Sequence, residues 1–428
     1  MGLVSKTFGE VVTTFTRNSS GTYIDSNGLI QTAANNVPRF TYDPVTKVSQ
    51  GLLLERQSTN LILQSDNWTV SPWATSDTHF ANMVAGDHPQ KPGSNVCYFG
   101  PNSGQTSFSN NGTQQSLTSF PIGTYTIYQD LKAIPGSVGV NTARFLPAVS
   151  DSGTGQVGGI LLLSGAGGVR ADNFIAGDSF SSHSLGSYPL GNGWYRCWIT
   201  FTTTRVIGTF RATRVFPYSN GSAVTGDGVA GLHGTMIQLE TGAFQSSYIP
   251  TTTSAATRTN EIAYRSLGSE FNLNEGTVFC DLVCTSVGLD FNSVGSLAKI
   301  PLLSITTRNS ISLAVDTRVG INCVRLIRYY NDVTNLSMKS ANGTAVPGSR
   351  VKIAYTYSRS TNLITLYVNG VKAGDLALAE PDLFSSGINT FLVSGLRAEQ
   401  DNLYNGTIFR QTYYPRALTD SELVTLTT

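Results

Sequence analysis

Apolar and polar residues alternate with a period of two along almost the whole chain, the spacing of strands with one buried face. Leu363-Ile-Thr-Leu-Tyr-Val, then Asn369-Gly370, then Val371-Lys-Ala predicts a hairpin: strand, type I′ turn, returning strand. Asn-Gly recurs at Asn27, Asn111, Asn192, Asn220, Asn342 and Asn405, and Asp227-Gly228 adds a further turn. Short β-branched and aromatic runs punctuated in this way predict a sandwich or jelly roll. Helical spacing is confined to the end, where Thr419-Asp-Ser-Glu-Leu-Val-Thr-Leu offers a short helix capped by Thr419 or Asp420.

The expected fold class is therefore all-β, with two jelly-roll-like β-sandwich domains preceded by a small turn-rich N-terminal segment. Residues 1–60 form that segment and 61–250 the first sandwich. The polar, proline-led stretch Pro250-Thr-Thr-Thr-Ser-Ala-Ala-Thr places a linker at 251–266, and 267–428 form the second sandwich. A chain of 428 residues has room for these two cores.

Composition narrows the function classes. Charged residues make up 13% of the chain and the net charge is +1, with Ser, Thr, Asn and Gly in place of charge. Without a Lys/Arg run there is no nucleic-acid footprint; Arg205, Arg211 and Arg214 alternate with apolar residues as a strand surface does. The longest apolar run, Ile160–Leu163, is strand-sized, so no membrane insertion is expected. Met1-Gly2-Leu3-Val4-Ser5-Lys6 has no apolar signal core, which suggests release by lysis rather than export. Five cysteines argue against a closed disulfide framework. Cys280 and Cys284 stand about 13 Å apart on one strand, beyond bridging distance. Cys197 shares a strand face with Tyr195, Ile199 and Phe201, so it reads as core.

Convergent chemistry is scarce. The four histidines (His79, His88, His183, His233) show no metal-ligand spacing, and a nucleophile elbow is missing. Gly153-Thr-Gly155-Gln-Val-Gly158 matches a dinucleotide fingerprint in letters, but a strand follows where a helix is needed, and it reads as a flexible loop. Glu240 and Glu261 are isolated in sequence, and the Glu-x-Asp-x-x-Glu string that would place glycosidase carboxylates is lacking. The expectation is no enzyme, no cofactor and no metal. Sugar binding stays open, because a pyranose stacks on an exposed aromatic ring. Trp73, after Pro72, and Tyr329-Tyr330, before Asn331-Asp332, are the candidate platforms, with a packed core position the competing reading for Trp73. Trp68, Trp194 and Trp198 read as core.

Two segments are similar to a family. One runs from Thr14-Phe-Thr-Arg-Asn-Ser-Ser-Gly-Thr-Tyr-Ile-Asp through Asn36-Val-Pro-Arg-Phe and Tyr42-Asp-Pro to Gly51-Leu-Leu-Leu-Glu and Thr59-Asn-Leu. The other is Ile237-Gln-Leu-Glu-Thr-Gly-Ala-Phe-Gln-Ser-Ser-Tyr-Ile-Pro-Thr with Thr257-Arg. Together they resemble bacteriophage virion proteins of the tail, collar or head-fibre type with a carbohydrate-binding-like jelly roll. Asn362-Leu-Ile-Thr-Leu-Tyr-Val-Asn-Gly and the closing Gly406-Thr-Ile-Phe-Arg segment resemble a laminin-G/concanavalin-like sandwich.

The resemblance implies a structural component of the virion, a fibre, collar or decoration subunit, assembled in the host cytoplasm. Its partners would be other virion proteins, copies of itself (a trimer is favoured) and host-surface glycans. A free-standing carbohydrate-binding or glycan-cleaving protein is the alternative. Within Val4–Phe15, Val11, Val12 and Phe15 are expected to dock onto the particle or a neighbouring subunit by strand addition. The competing reading is a strand that completes the chain's own sandwich. Arg17 and Arg39 lie near Asp25, Asp43 and Glu55, so ion pairs are expected to hold the N-terminal segment against the jelly roll.

Overall fold

The computed structural model describes residues 14–428 apart from 75–78, 107–112, 137–138, 150–154, 213–214, 267–268, 270, 285–294, 303–308, 317–320, 331–332, 379–389 and 395–404. Among the described residues it is all-β with one closing helix, Asp420–Thr427.

The first sandwich packs a six-stranded sheet on an eight-stranded one. The six-stranded sheet runs, in spatial order, Phe180–Gly191, Trp194–Thr203, Thr124–Ile134, Gly231–Thr241, Asn95–Pro101 and His79–Ala85. Alternation assigns its two faces. Along Trp194–Thr203, Tyr195, Cys197, Ile199 and Phe201 are buried in the core, while Arg196, Trp198 and Thr200 face outward and are only part-buried. Phe120, Tyr125, Phe180, Phe201 and Phe210 pack ring against ring between the sheets. Gly155 and Gly158 of the dinucleotide-like string lie in the strand Gly155–Leu162, not in a loop. A Cβ on Gly158 would lie 2.1 Å from the Phe145 carbonyl oxygen, so only glycine lets the two strands meet there.

The second sandwich pairs two seven-stranded sheets. Its predicted hairpin is present: Leu363–Val368 returns as Val371–Ala377 through Asn369 at φ +48° and Gly370 at φ +77°. Thr419 caps the closing helix in a reciprocal capping box with Glu422. Leu418 and Leu423 then pack on Phe279, Ala354, Tyr367 and Tyr414, outside the main core. All five cysteines are buried free thiols. Burial pushes the thiols of Cys97 and Cys280 up to about 12.

The structure differs from the expected boundaries at two places. Residues 14–60 do not stand as a separate unit. Arg39–Tyr42 and Ser49–Leu54 extend one sheet of the second sandwich, and Thr14–Thr16 forms the edge of the other. Leu52 and Leu54 lie in that sandwich's core. Nor is 251–266 a free linker. Thr252–Ala255 is exposed, but Ala256–Arg258 pairs with Ser58–Asn60, and Ile262–Ser266 pairs with Thr14–Thr16. The local composition is polar; what it borders is a buried set of charges, and those decide the packing.

Candidate functional site: the outer face of the six-stranded sheet

Cross-strand register lays the outward side chains of this sheet in rows. Asn82, Tyr98, His233, Lys132 and Trp194 stand side by side across five strands. The next row holds Thr235, Asp130, Arg196 and Tyr188, and the next joins Tyr128, Trp198 and Gly186 to Gln238. Beyond these come Glu240, Thr126, Thr200 and Ser184. Different parts of the chain cover different stretches of the face.

The stretch around Gln238 and Glu240 is sealed by the N-terminal segment and by residues 243–251. Here the recognised sequence motifs meet. Arg17 donates to Glu261 at 2.6 Å; Arg39 donates to Glu55 Oε2 and Glu261 Oε2, both at 2.7 Å. Ser247 closes on Glu55 through its backbone N–H (2.7 Å) and its hydroxyl (2.6 Å). Arg258 lies 3.4 Å from Glu55. Arg17, Arg39, Glu55, Arg258, Glu261 and Glu240 are all buried. Burial pushes the Glu55 carboxyl up, but Arg258 and Arg39 outweigh it and hold it down at about 2. Glu240 goes the other way. Burial raises it above the usual carboxylate range, and hydrogen bonds from Ser246 and Ser58 only partly offset this.

These contacts bear out the expected Arg39–Glu55 pairing and the hold of the N-terminal segment on the jelly roll. Asp25 and Asp43 do not join them; each accepts hydrogen bonds within its own turn. Glu261 and Glu240, isolated in sequence, are central in space.

A second stretch lies under the segment that carries His88. The histidine is buried. Its Nδ1 accepts the Gln90 N–H (3.3 Å), and its Nε2 lies 3.1 Å from Asp130 Oδ2. Arg196 grips the same carboxylate with Nε on Oδ1 (2.7 Å) and Nη2 on Oδ2 (2.9 Å), and lies over the Tyr128 ring. Burial raises Asp130, but Arg196 leads the interactions that bring it below its usual range. Trp194 is fully buried, with its indole N–H on Asp87 Oδ1 (2.9 Å).

The third stretch is open. Trp198 is part-buried, and its indole lies on Gly186: a Cβ there would sit 3.0 Å from Nε1 and 3.1 Å from Cε2 and Cζ2. Tyr188, on the neighbouring strand, is 40% exposed, and its hydroxyl stands 3.5 Å from Gln245 Oε1, the outer limit of a hydrogen bond. Exposed Ser184 and part-buried Thr200 continue the strip. Among the described residues, Tyr188 and Ser184 are exposed on this surface, and Trp198, Arg196, Thr200 and Gln245 are part-buried beside them.

The predicted site residues lie elsewhere. Trp73 is not an open platform. It stacks on Trp68 at 5.2 Å, packs against the jelly-roll core, and places its indole N–H at 3.0 Å from the Leu63 carbonyl oxygen. Tyr329 and Tyr330 end the strand Cys323–Tyr330, opposite Thr334 and Val333, instead of lying in a loop. Phe15 packs on the second sandwich's own core from an edge strand, which is the competing reading for that residue. Val11 and Val12 lie outside the described residues. The aromatic pair that shares an open face, Trp198 and Tyr188, was missed, although the core alternation of Tyr195, Cys197 and Ile199 already turns Trp198 outward.

No group of three His, Cys, Asp or Glu residues suited to a metal occurs among the described residues. Among the same residues, no helix is long and apolar enough to cross a membrane.

No family model and no curated protein matches the chain. Similar solved structures include the CBM40 of the Ruminococcus gnavus IT-sialidase bound to alpha2,3 sialyllactose, at 15% identity and TM-score 0.31, covering 37% of this chain and 84% of that one. A heptameric SAP-like pentraxin from Limulus polyphemus is 12% identical at TM-score 0.30, covering 39% and 81%. A leech intramolecular trans-sialidase is 14% identical at TM-score 0.30, covering 38% and 26%. At these scores nothing about the present chain rests on the likeness.

Proposed function

We propose that this protein is a non-enzymatic structural component of a bacteriophage particle, a fibre, collar or decoration subunit, that holds a glycan on the open strip of its jelly roll. The glycan reading rests on one observation: the part-buried Trp198 indole lies against Gly186 beside exposed Tyr188, on a stretch of the sheet face that the described residues leave partly accessible. An indole ring suits the C–H face of a pyranose, and Gln245 and Ser184 supply partners for its hydroxyls. The virion reading rests on the sequence resemblance. Its motif residues include those of the buried junction, Arg17, Arg39, Glu55, Glu240, Ser247 and Arg258, which gives the motif a physical purpose in joining two sandwiches. Five buried thiols suit assembly in a reducing cytoplasm.

Two experiments test these readings. Trp198→Ala should abolish binding on an oligosaccharide array while circular dichroism stays β-rich; undiminished binding would remove the site. Purified virions labelled with an antibody to this chain should show it at one fixed position in electron micrographs, and unlabelled particles would overturn the virion reading. The trimer, a proposal from the resemblance alone, fails if light scattering finds a monomer at high concentration.

A further inference from the structure

Resting on the glycan reading above, we infer that the strip between Tyr188 and Trp198 takes neutral, hexopyranose-type sugars and discriminates against sugars carrying a carboxylate. The argument turns on Arg196, the guanidinium that an acidic sugar would seek. Its Nε and Nη2 are already forked on Asp130 at 2.7 and 2.9 Å, and Asp130 is fully buried. That is the bidentate geometry in which arginine would otherwise receive a ligand carboxylate.

The other partner of Asp130 among the described residues is His88, whose Nδ1 faces the Gln90 N–H at 3.3 Å. Within the bidentate Asp130–Arg196 pair the two charges cancel. Tyr128, under the guanidinium at 4.7 Å, fixes its plane further. The side chain of Arg196 is only 14% exposed, so a carboxylate approaching it would lose water and meet a charge that is already compensated. The remaining groups, the Tyr188 hydroxyl, which also contacts Arg196, the Gln245 carboxamide and the exposed Ser184 hydroxyl, are neutral. They match sugar hydroxyls, and the two rings match a sugar's apolar face.

The test is an oligosaccharide array with the full-length protein, containing matched pairs that differ by one acidic sugar, such as lactose against sialyllactose, followed by titration of every hit. The expected result is binding of neutral members, with acidic counterparts weaker by about tenfold or more, equivalent to about 1.4 kcal/mol. Affinity for the neutral members should be nearly the same at low and high salt, since no net charge is paired. Asp130→Asn uncovers the arginine, and in a folded variant acidic members should gain about tenfold over wild type. Acidic members that bind wild type as tightly as neutral ones would overturn the neutral preference and leave the glycan site standing. Binding by no member, or binding indifferent to Trp198→Ala, would overturn the site and this inference together. If Asp130→Asn fails to fold, the wild-type pairs and their salt dependence still decide.

Discussion

The two ends of one sheet face have opposite fates. Around Glu240 the face is closed by the N-terminal segment, and charge is packed into it: Arg17, Arg39, Arg258, Glu55 and Glu261 are buried and interlocked. Around Trp198 the face is open, and the arginine present is neutralised by a carboxylate beneath it. Buried charge demands complete pairing, so the closed end is rigid and specific in its geometry. At the open end exposed Tyr188 and Ser184 face solvent beside part-buried Trp198, and those are the groups a ligand can reach. The contrast suggests that one end joins the sandwiches and the other meets solvent.

The sharpest way to break this comparison is to remove the closing segment. A fragment of residues 267–428 lacks Thr14–Thr16, Arg39–Tyr42, Ser49–Leu54 and Ile262–Ser266, hence the core residues Leu52, Leu54 and Ala263. It should be insoluble or unfolded when expressed alone. A soluble fragment with a cooperative melt would show that the N-terminal strands are accessory. Consistently, proteolysis at exposed Thr252–Ala255 should nick the chain yet leave the two pieces eluting together.

Within the junction, Glu261→Ala leaves Arg17 and Arg39 buried without their shared carboxylate. It should cost about 3–5 kcal/mol in denaturant unfolding, the scale of breaking a buried ion pair. A loss below about 1 kcal/mol would make the pairing incidental.

The junction's two other carboxylates should respond to pH with opposite signs. Glu55 is held at about 2, so its contribution is full above the usual carboxylate range and is lost as pH falls toward 2. Glu240 is raised by burial, so its contribution favours the fold at low pH and is lost as pH rises through its elevated value. Glu240→Gln should therefore be at least as stable as wild type at pH 7, by up to about 1 kcal/mol, the scale of one hydrogen bond. That advantage should fade in acid. A Gln variant that is markedly less stable at pH 7 would show that the charged form is the one the fold uses.

The open end should be the most tolerant. Trp198→Ala removes a part-buried ring outside the main core and should lower stability by no more than about 2 kcal/mol. A larger loss would mean that the ring is a structural plug.

Much of the fold is legible in local sequence, because turns and alternation are local properties. Asn369-Gly370 carries its own left-handed turn, and Thr419 with Glu422 its own cap. Cys197 among Tyr195, Ile199 and Phe201 declares which face is core. The chain also names the charged residues of its N-terminal motif. It does not say that Arg39 meets Glu261, 222 positions away, or that Leu52 completes a core built mostly from residues beyond 260. Such pairings follow from sheet order, which strand composition does not encode. The open strip shows the same division: alternation turns Trp198 outward, and only the folded chain decides that Trp194, on the same strand face, is covered by the His88 segment while Trp198 is left accessible.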